Sequence, residues 1–184
     1  IKCVADITWN IDGFDPEQYC LDWCQKEFKG NNTSNLAEIY KEYFKCFYEM
    51  DTALIPGQML LMDGMLRRVA LKLIEIIKGS EFRKSDIQNK RLFDFQTAAD
   101  FIRYYKNAAE EGIGRFKKLY CKAVPAVSTI AKDRQPFFVS NMIVQIEIAL
   151  GLYSWVYYLC LAAENRRSTR ENTTYQFYLN EAEF

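Results

Sequence analysis

Apolar residues recur three and four positions apart through most of this chain, and almost nowhere do they alternate in twos. That spacing turns one stripe of each segment toward a core and predicts amphipathic helices. The first is announced by Asp15-Pro16-Glu17-Gln18. Asp15 caps the free amides, Pro16 suits the first helical position, and Gln18 completes a capping box. Its apolar face is Tyr19, Cys20, Trp23, Cys24 and Phe28, and Gly30 ends it. After a turn over 31–34, a second helix carries Leu36, Ile39, Tyr40, Tyr43, Phe44, Phe47 and Met50. Ile55-Pro56-Gly57 breaks the chain before a third helix over 59–78, which keeps Met62, Leu66, Val69, Leu73 and Ile77 in phase and stops at Gly79.

The polar stretch 80–90 predicts a long loop. From Phe95 the apolar positions 98, 99, 102, 105, 109, 113, 116 and 120 hold one phase across Gly112 and Gly114. One helix to about 121 is therefore expected, although each glycine costs about 1 kcal/mol against alanine in a helix interior. Val124-Pro125 ends it. Asp133 and Pro136 announce a central helix over 135–165, and a last helix is expected over 171–182. Only Cys3 to Thr8 has strand character, and it has no partner within the chain. The expected fold is all-α: five to six antiparallel helices over 14–184, behind a short extended lead-in over 1–13.

Composition removes more chemistry than it adds. The chain has no histidine, which excludes imidazole proton relays, histidine-ligated zinc and carboxylate–histidine di-iron sites. Lysine plus arginine (24) balances aspartate plus glutamate (24), so the footprint of a nucleic-acid binder is missing. Arg166-Arg167-Ser168-Thr169-Arg170 reads as a solvated helix end. The chain opens on Ile1, as a processed or excised chain would, with neither a start methionine nor a signal peptide.

Six cysteines stand at 3, 20, 24, 46, 121 and 160, among leucines, tyrosines and phenylalanines, and read as reduced core thiols. Cys20 and Cys24 share a helix face, but Cβ atoms there are about 5–6 Å apart, beyond the roughly 3.8 Å of a disulfide. Reduced thiols favour a cytoplasmic over a periplasmic or secreted setting; sequons at Asn31, Asn32 and Asn172 point the other way. The longest charge-free apolar run, 148–163, is 16 residues, short of the roughly 20 of a membrane span. It predicts a core helix buried on most sides, and no membrane partner.

Candidate chemistry is sparse. Glu110 and Glu111 diverge by about 100° on a helix and cannot jointly flank a substrate. Glu147, inside the apolar central helix, needs either a cation such as Arg103, Arg115 or Lys118, or a place at the solvent edge. Gly112-Ile113-Gly114 lacks the strand and third glycine of a dinucleotide loop, and no CxxC pair offers a metal site. Catalytic residues, cofactors and metals are therefore all read as none. The aromatic positions read as core, with an alternative in which they form the docking groove of a stand-alone helical protein-interaction module. A carboxylate-only enzyme would need a deep pocket around Glu147.

The lead-in is different. A half-strand has backbone groups that need a sheet, and Cys3 to Thr8 makes sense as the last strand of an upstream parallel barrel, whose strand ends build active sites. Asp6, Trp9 and Asn10 stand at that end. Tryptophan offers a flat face to a pyranose ring, and asparagine both donates to and accepts from hydroxyls.

The tract Ala5-Asp6-Ile7-Thr8-Trp9-Asn10-Ile11-Asp12-Gly13-Phe14-Asp15-Pro16-Glu17 resembles the junction at which the catalytic (β/α)8 barrel of certain glycoside hydrolases gives way to a helical domain. Family 115 α-glucuronidases, and more distantly family 84 hexosaminidases, carry a D-x-x-W-N-P-x-x-[FY]-D-P-E tract there, then a helix, then [YF]-F-G. Ile11 replaces the proline, and Trp23 with Phe28-Lys29-Gly30 follows. The stretch Ile130-Ala131-Lys132-Asp133-Arg134-Gln135-Pro136-Phe137-Phe138 is similar to the family 115 element L-P-x-x-x-R-x-x-F-[FY], which opens a long helix of the post-barrel bundle. The resemblance implies a non-catalytic domain that packs on the barrel of its own polypeptide and in some cases on a second subunit as a homodimer. It also implies that Trp9, Asn10 and Asp6 bind carbohydrate and that the catalytic acids lie upstream.

Overall fold

Asp15 starts the first helix as its chemistry demands. Its Oδ1 accepts from the backbone N–H groups of Glu17 (2.9 Å) and Gln18 (3.2 Å), and Pro16 fills the first turn. Gln18 does not close a capping box; its amide donates to Asp22 one turn on, at 2.7 Å. This is α1, Pro16–Phe28. The computed structural model describes residues 15–29, 33–48, 65–82 and 95–168. Among these the regular structure is entirely helical, with no strand. The lead-in, residues 1–13, and the expected last helix over 171–182 lie outside the described residues.

Four more helices follow: α2, Thr33–Tyr48; α3, Met65–Ile77; α4, Ala98–Ala126; and α5. The fifth is built of an α-helical Gln135–Phe138, a π-helical Val139–Ile143 and an α-helical Val144–Ser168. As the apolar phase predicts, α4 runs unbroken through both glycines. It goes further than 121, holding Pro125 in its last turn before tightening into a 3-10 turn at Val127–Thr129.

Three local expectations are corrected. The left-handed step after α1 is taken by Lys29 (φ 50°), whose N–H donates to the Gln25 carbonyl at 3.3 Å; Gly30, the expected stop, lies outside the described residues. Asp133 does not cap α5. The residue before the helix is Arg134, without a side-chain cap. The central helix also widens into a π stretch that no periodicity announced. Widening a turn leaves carbonyls short of backbone donors. Ser140 serves those of Pro136 (2.9 Å) and Phe137 (3.2 Å), and Asn141 donates to Phe137 at 2.9 Å.

The chain divides into two units, residues 1–43 with 119–145 and residues 44–118 with 146–184. The core of the first is aromatic: Phe28 meets Phe138 edge-on at 5.6 Å and stacks on Tyr40 at 6.0 Å, and Trp23 meets Tyr40 at 5.0 Å. Phe28 and Phe138 are fully buried, and burying a phenylalanine contributes about 1.5–3 kcal/mol. In the second unit Phe101 packs on Tyr105 at 4.8 Å, and Phe116 lies 5.8 Å from Tyr153. Gly112 is there for a steric reason. A Cβ at this position would stand 2.4 Å from the Tyr153 ring.

The helix 135–166 is long and apolar enough to cross a membrane by length and composition, with a window of mean hydropathy 1.5. Core helices meet the same test. Only 44% of that window is buried within the protein, less than the burial on most sides that the pattern predicts. The expected solvated basic end is also modified. Arg166 donates to the carbonyl of Ile76 at 3.5 Å and lies against Gly79 (φ 88°), giving the C-terminus of α3 a cation.

Candidate functional site

Trp9, Asn10 and Asp6, the expected sugar contacts, lie outside the described residues, and the structure begins at the helix into which their tract runs. Among the described residues, the downstream carboxylates form no site. Glu110 and Glu111 are exposed on α4, and Glu111 pairs with Arg115 at 2.7 Å. Glu147 sits at the solvent edge of α5, not in the core. Of its candidate partners, Arg103 is held by Asp100 at 2.6 Å and Arg115 by Glu111. Among the described residues no three of His, Cys, Asp and Glu come together to hold a metal ion.

The densest chemistry lies where α1 faces α2. Cys20 and Cys24 stand one turn apart on α1, Cys20 half-buried and Cys24 fully buried, both as free thiols. The Cys20 Sγ is 3.9 Å from the Ala37 carbonyl of α2, to which its thiol donates. Beside it Lys41 joins the two helices, with its ammonium 3.3 Å from Glu17 and 2.9 Å from Glu38. Hydrogen bonds to Glu38 and Glu17 hold Lys41 charged above the ordinary lysine range. Tyr40 completes the group: it is only 8% exposed, and its buried hydroxyl has no hydrogen-bond partner.

These neighbours split the two thiols. The Cys24 S–H, donating to the Cys20 sulfur, and the Lys41 charge together outweigh burial and Glu38, lowering the Cys20 thiol to about 7. The same hydrogen bond, with burial, pushes Cys24 far up. Burial raises the Tyr40 phenol, and the Cys24 and Cys20 sulfurs add to the rise, which puts its hydroxyl within electrostatic reach of both. The other described thiols are unlike this pair. Cys46 and Cys160 are buried, burial holding Cys160 up, whereas Cys121 is exposed and so falls outside the expected core set.

Sequence alone marks Cys20 and Cys24 as neighbours by their spacing. It gives no sign of Tyr40 and Lys41, which arrive through helix packing. Comparison of the chain with protein-family models, curated proteins and solved structures finds no match.

Proposed function

We propose that this chain is the helical domain that follows the catalytic barrel of a glycoside hydrolase, bracing that barrel without contributing catalytic groups. The reading is supported by the meeting of Phe28, which follows the first resembling stretch at the end of α1, with the second resembling stretch at the start of α5. Residues 5–17 run into α1, and residues 130–138 run into α5. In the first unit the end of α1 and the start of α5 share one cluster: Phe28 lies 5.6 Å from Phe138 and 6.1 Å from Phe137. Arg134 donates to Glu27 at 2.9 Å across 107 positions of sequence, and the Ala131 N–H donates to the Phe28 carbonyl at 3.4 Å. A domain that braces a barrel needs its first helix fixed to its own core, and this cluster ties the end of α1 to the start of α5. Trp9, Asn10 and Asp6 would then contact sugar at the barrel's edge, as the resemblance implies.

The test compares this chain with the polypeptide extended by the residues encoded ahead of Ile1. The chain alone should be helical by circular dichroism and inert toward aryl glycosides; the extended polypeptide should hydrolyse them. Turnover by the chain alone refutes the reading, and so does an upstream sequence without alternating strands and helices bearing acidic residues at strand ends.

A further inference from the structure

We propose that Cys20 and Cys24 form a two-coordinate site for a soft monovalent cation, copper(I), held between their sulfurs on one face of α1. The inference goes beyond the barrel reading and does not rest on it. Both residues are free thiols on a regular helix, one turn apart. Cys20 is half-buried, and Cys24 is buried with Phe28 on the inner face of α1.

Distance decides what such a pair can hold. Cβ atoms four residues apart on a helix are about 5–6 Å from each other. A disulfide needs about 3.5–4.5 Å, so the sulfurs of an intact α1 cannot join directly. An ion between them lifts that limit. Taking the roughly 2.3 Å of a zinc–thiolate bond as the scale, a linear S–Cu–S unit spans about 4.6 Å, and the bend at each sulfur carries the Cβ atoms to about 5.5 Å apart. That is the separation the helix supplies.

Ligand number then selects the ion. Structural zinc takes four ligands, and among the described residues no third histidine, cysteine or carboxylate joins the pair. A monovalent d10 ion is satisfied by two collinear thiolates, and soft sulfur ligands select copper(I). Cys20 gives the ion a way in, while Cys24, fully buried, keeps its ligand away from water. The Cys20 thiol donates to the Ala37 carbonyl of α2 at 3.9 Å, and a thiol is a weak donor, so little is lost when that proton leaves. The exchange balances without a redox partner. Both S–H bonds break, two Cu–S bonds form, copper stays monovalent, and two protons pass to water.

The experiment titrates the fully reduced chain with copper(I) under anaerobic conditions, with bicinchoninate as the competing chelator. One ion per chain should be held against the chelator, with a sulfur-to-copper charge-transfer band in the ultraviolet and two sulfur neighbours in the X-ray absorption spectrum. Cys20→Ser, at a half-buried position, should weaken binding by about a hundredfold or more, the advantage of two linked ligands over one. Cys121→Ser, at an exposed position, should leave it unchanged. Cys24→Ser should match Cys20→Ser, with circular dichroism separating lost binding from lost folding. Copper(I) affinity that survives Cys20→Ser overturns the proposal. So does zinc(II) held as tightly as copper(I), a third sulfur neighbour, or a Cys20–Cys24 disulfide formed by mild oxidation of the folded chain.

Discussion

Replacing Gly112 with alanine sets two effects of similar size against each other. Alanine is better than glycine inside a helix by about 1 kcal/mol, partly because it restricts the unfolded chain. Its Cβ, however, would lie 2.4 Å from both Cδ1 and Cε1 of Tyr153 and 2.7 Å from Cζ. Tyr153 is fully buried and packed near Phe116 at 5.8 Å, so its ring has little room to retreat. Overpacking of this kind costs about 1–3 kcal/mol. Gly114, two positions on in the same helix, has nothing within 4 Å of an added Cβ. Gly114→Ala should therefore show the propensity gain alone. Because that gain is common to both variants, the difference between them isolates the steric cost. It should be about 1–3 kcal/mol, with Gly112→Ala the less stable, or about 2–12 °C in Tm at this chain length. Urea unfolding followed by far-ultraviolet circular dichroism measures it. Tyr153→Leu in the Gly112→Ala background should recover part of the loss relative to Tyr153→Leu alone. Equal stabilisation by the two alanines would refute the close approach.

Two further outcomes follow from local geometry. Asp15→Ala removes the acceptor for the Glu17 and Gln18 amides and should cost about 0.5–2 kcal/mol in thermal melts, with Asp15→Asn retaining most of it; equal losses in both would dismiss the cap. The thiol pair should give stability an alkaline optimum. Cys20, at about 7 when folded against an ordinary value of 9.0, stabilises above that value and loses its contribution as pH falls from 9 to 7. Cys24, held above 9.0, stabilises below that value and loses its contribution as pH rises past it. Relative to Cys20→Ser, the urea midpoint should climb from pH 7 toward 9, and a fall over that window would contradict the assignment.

What the sequence revealed of the fold was the part governed by neighbours along the chain. Asp15 and Pro16 mark the start of α1 because capping is settled within one turn. The unbroken α4 was legible because its apolar phase survives both glycines, although the reason for Gly112, a tyrosine ring 41 residues later, was not. Lys29 in a left-handed conformation and the π stretch at Val139–Ile143 lay beyond pattern reading. Both depend on how a helix end or a widened turn is satisfied by its surroundings. The same division runs through the thiol site. The spacing of Cys20 and Cys24 is local, whereas the Lys41 charge and the stranded Tyr40 hydroxyl come from a second helix. Exposure of Glu147 shows the converse: an apolar helix with an open side accommodates a carboxylate at its solvent edge.

The two units alternate along the chain, first, second, first, second. No single proteolytic nick or truncation can hand one of them over clean. Wherever the cut falls, one fragment keeps pieces of both. Anyone seeking a minimal version of this protein would have to rewire its connections before shortening it.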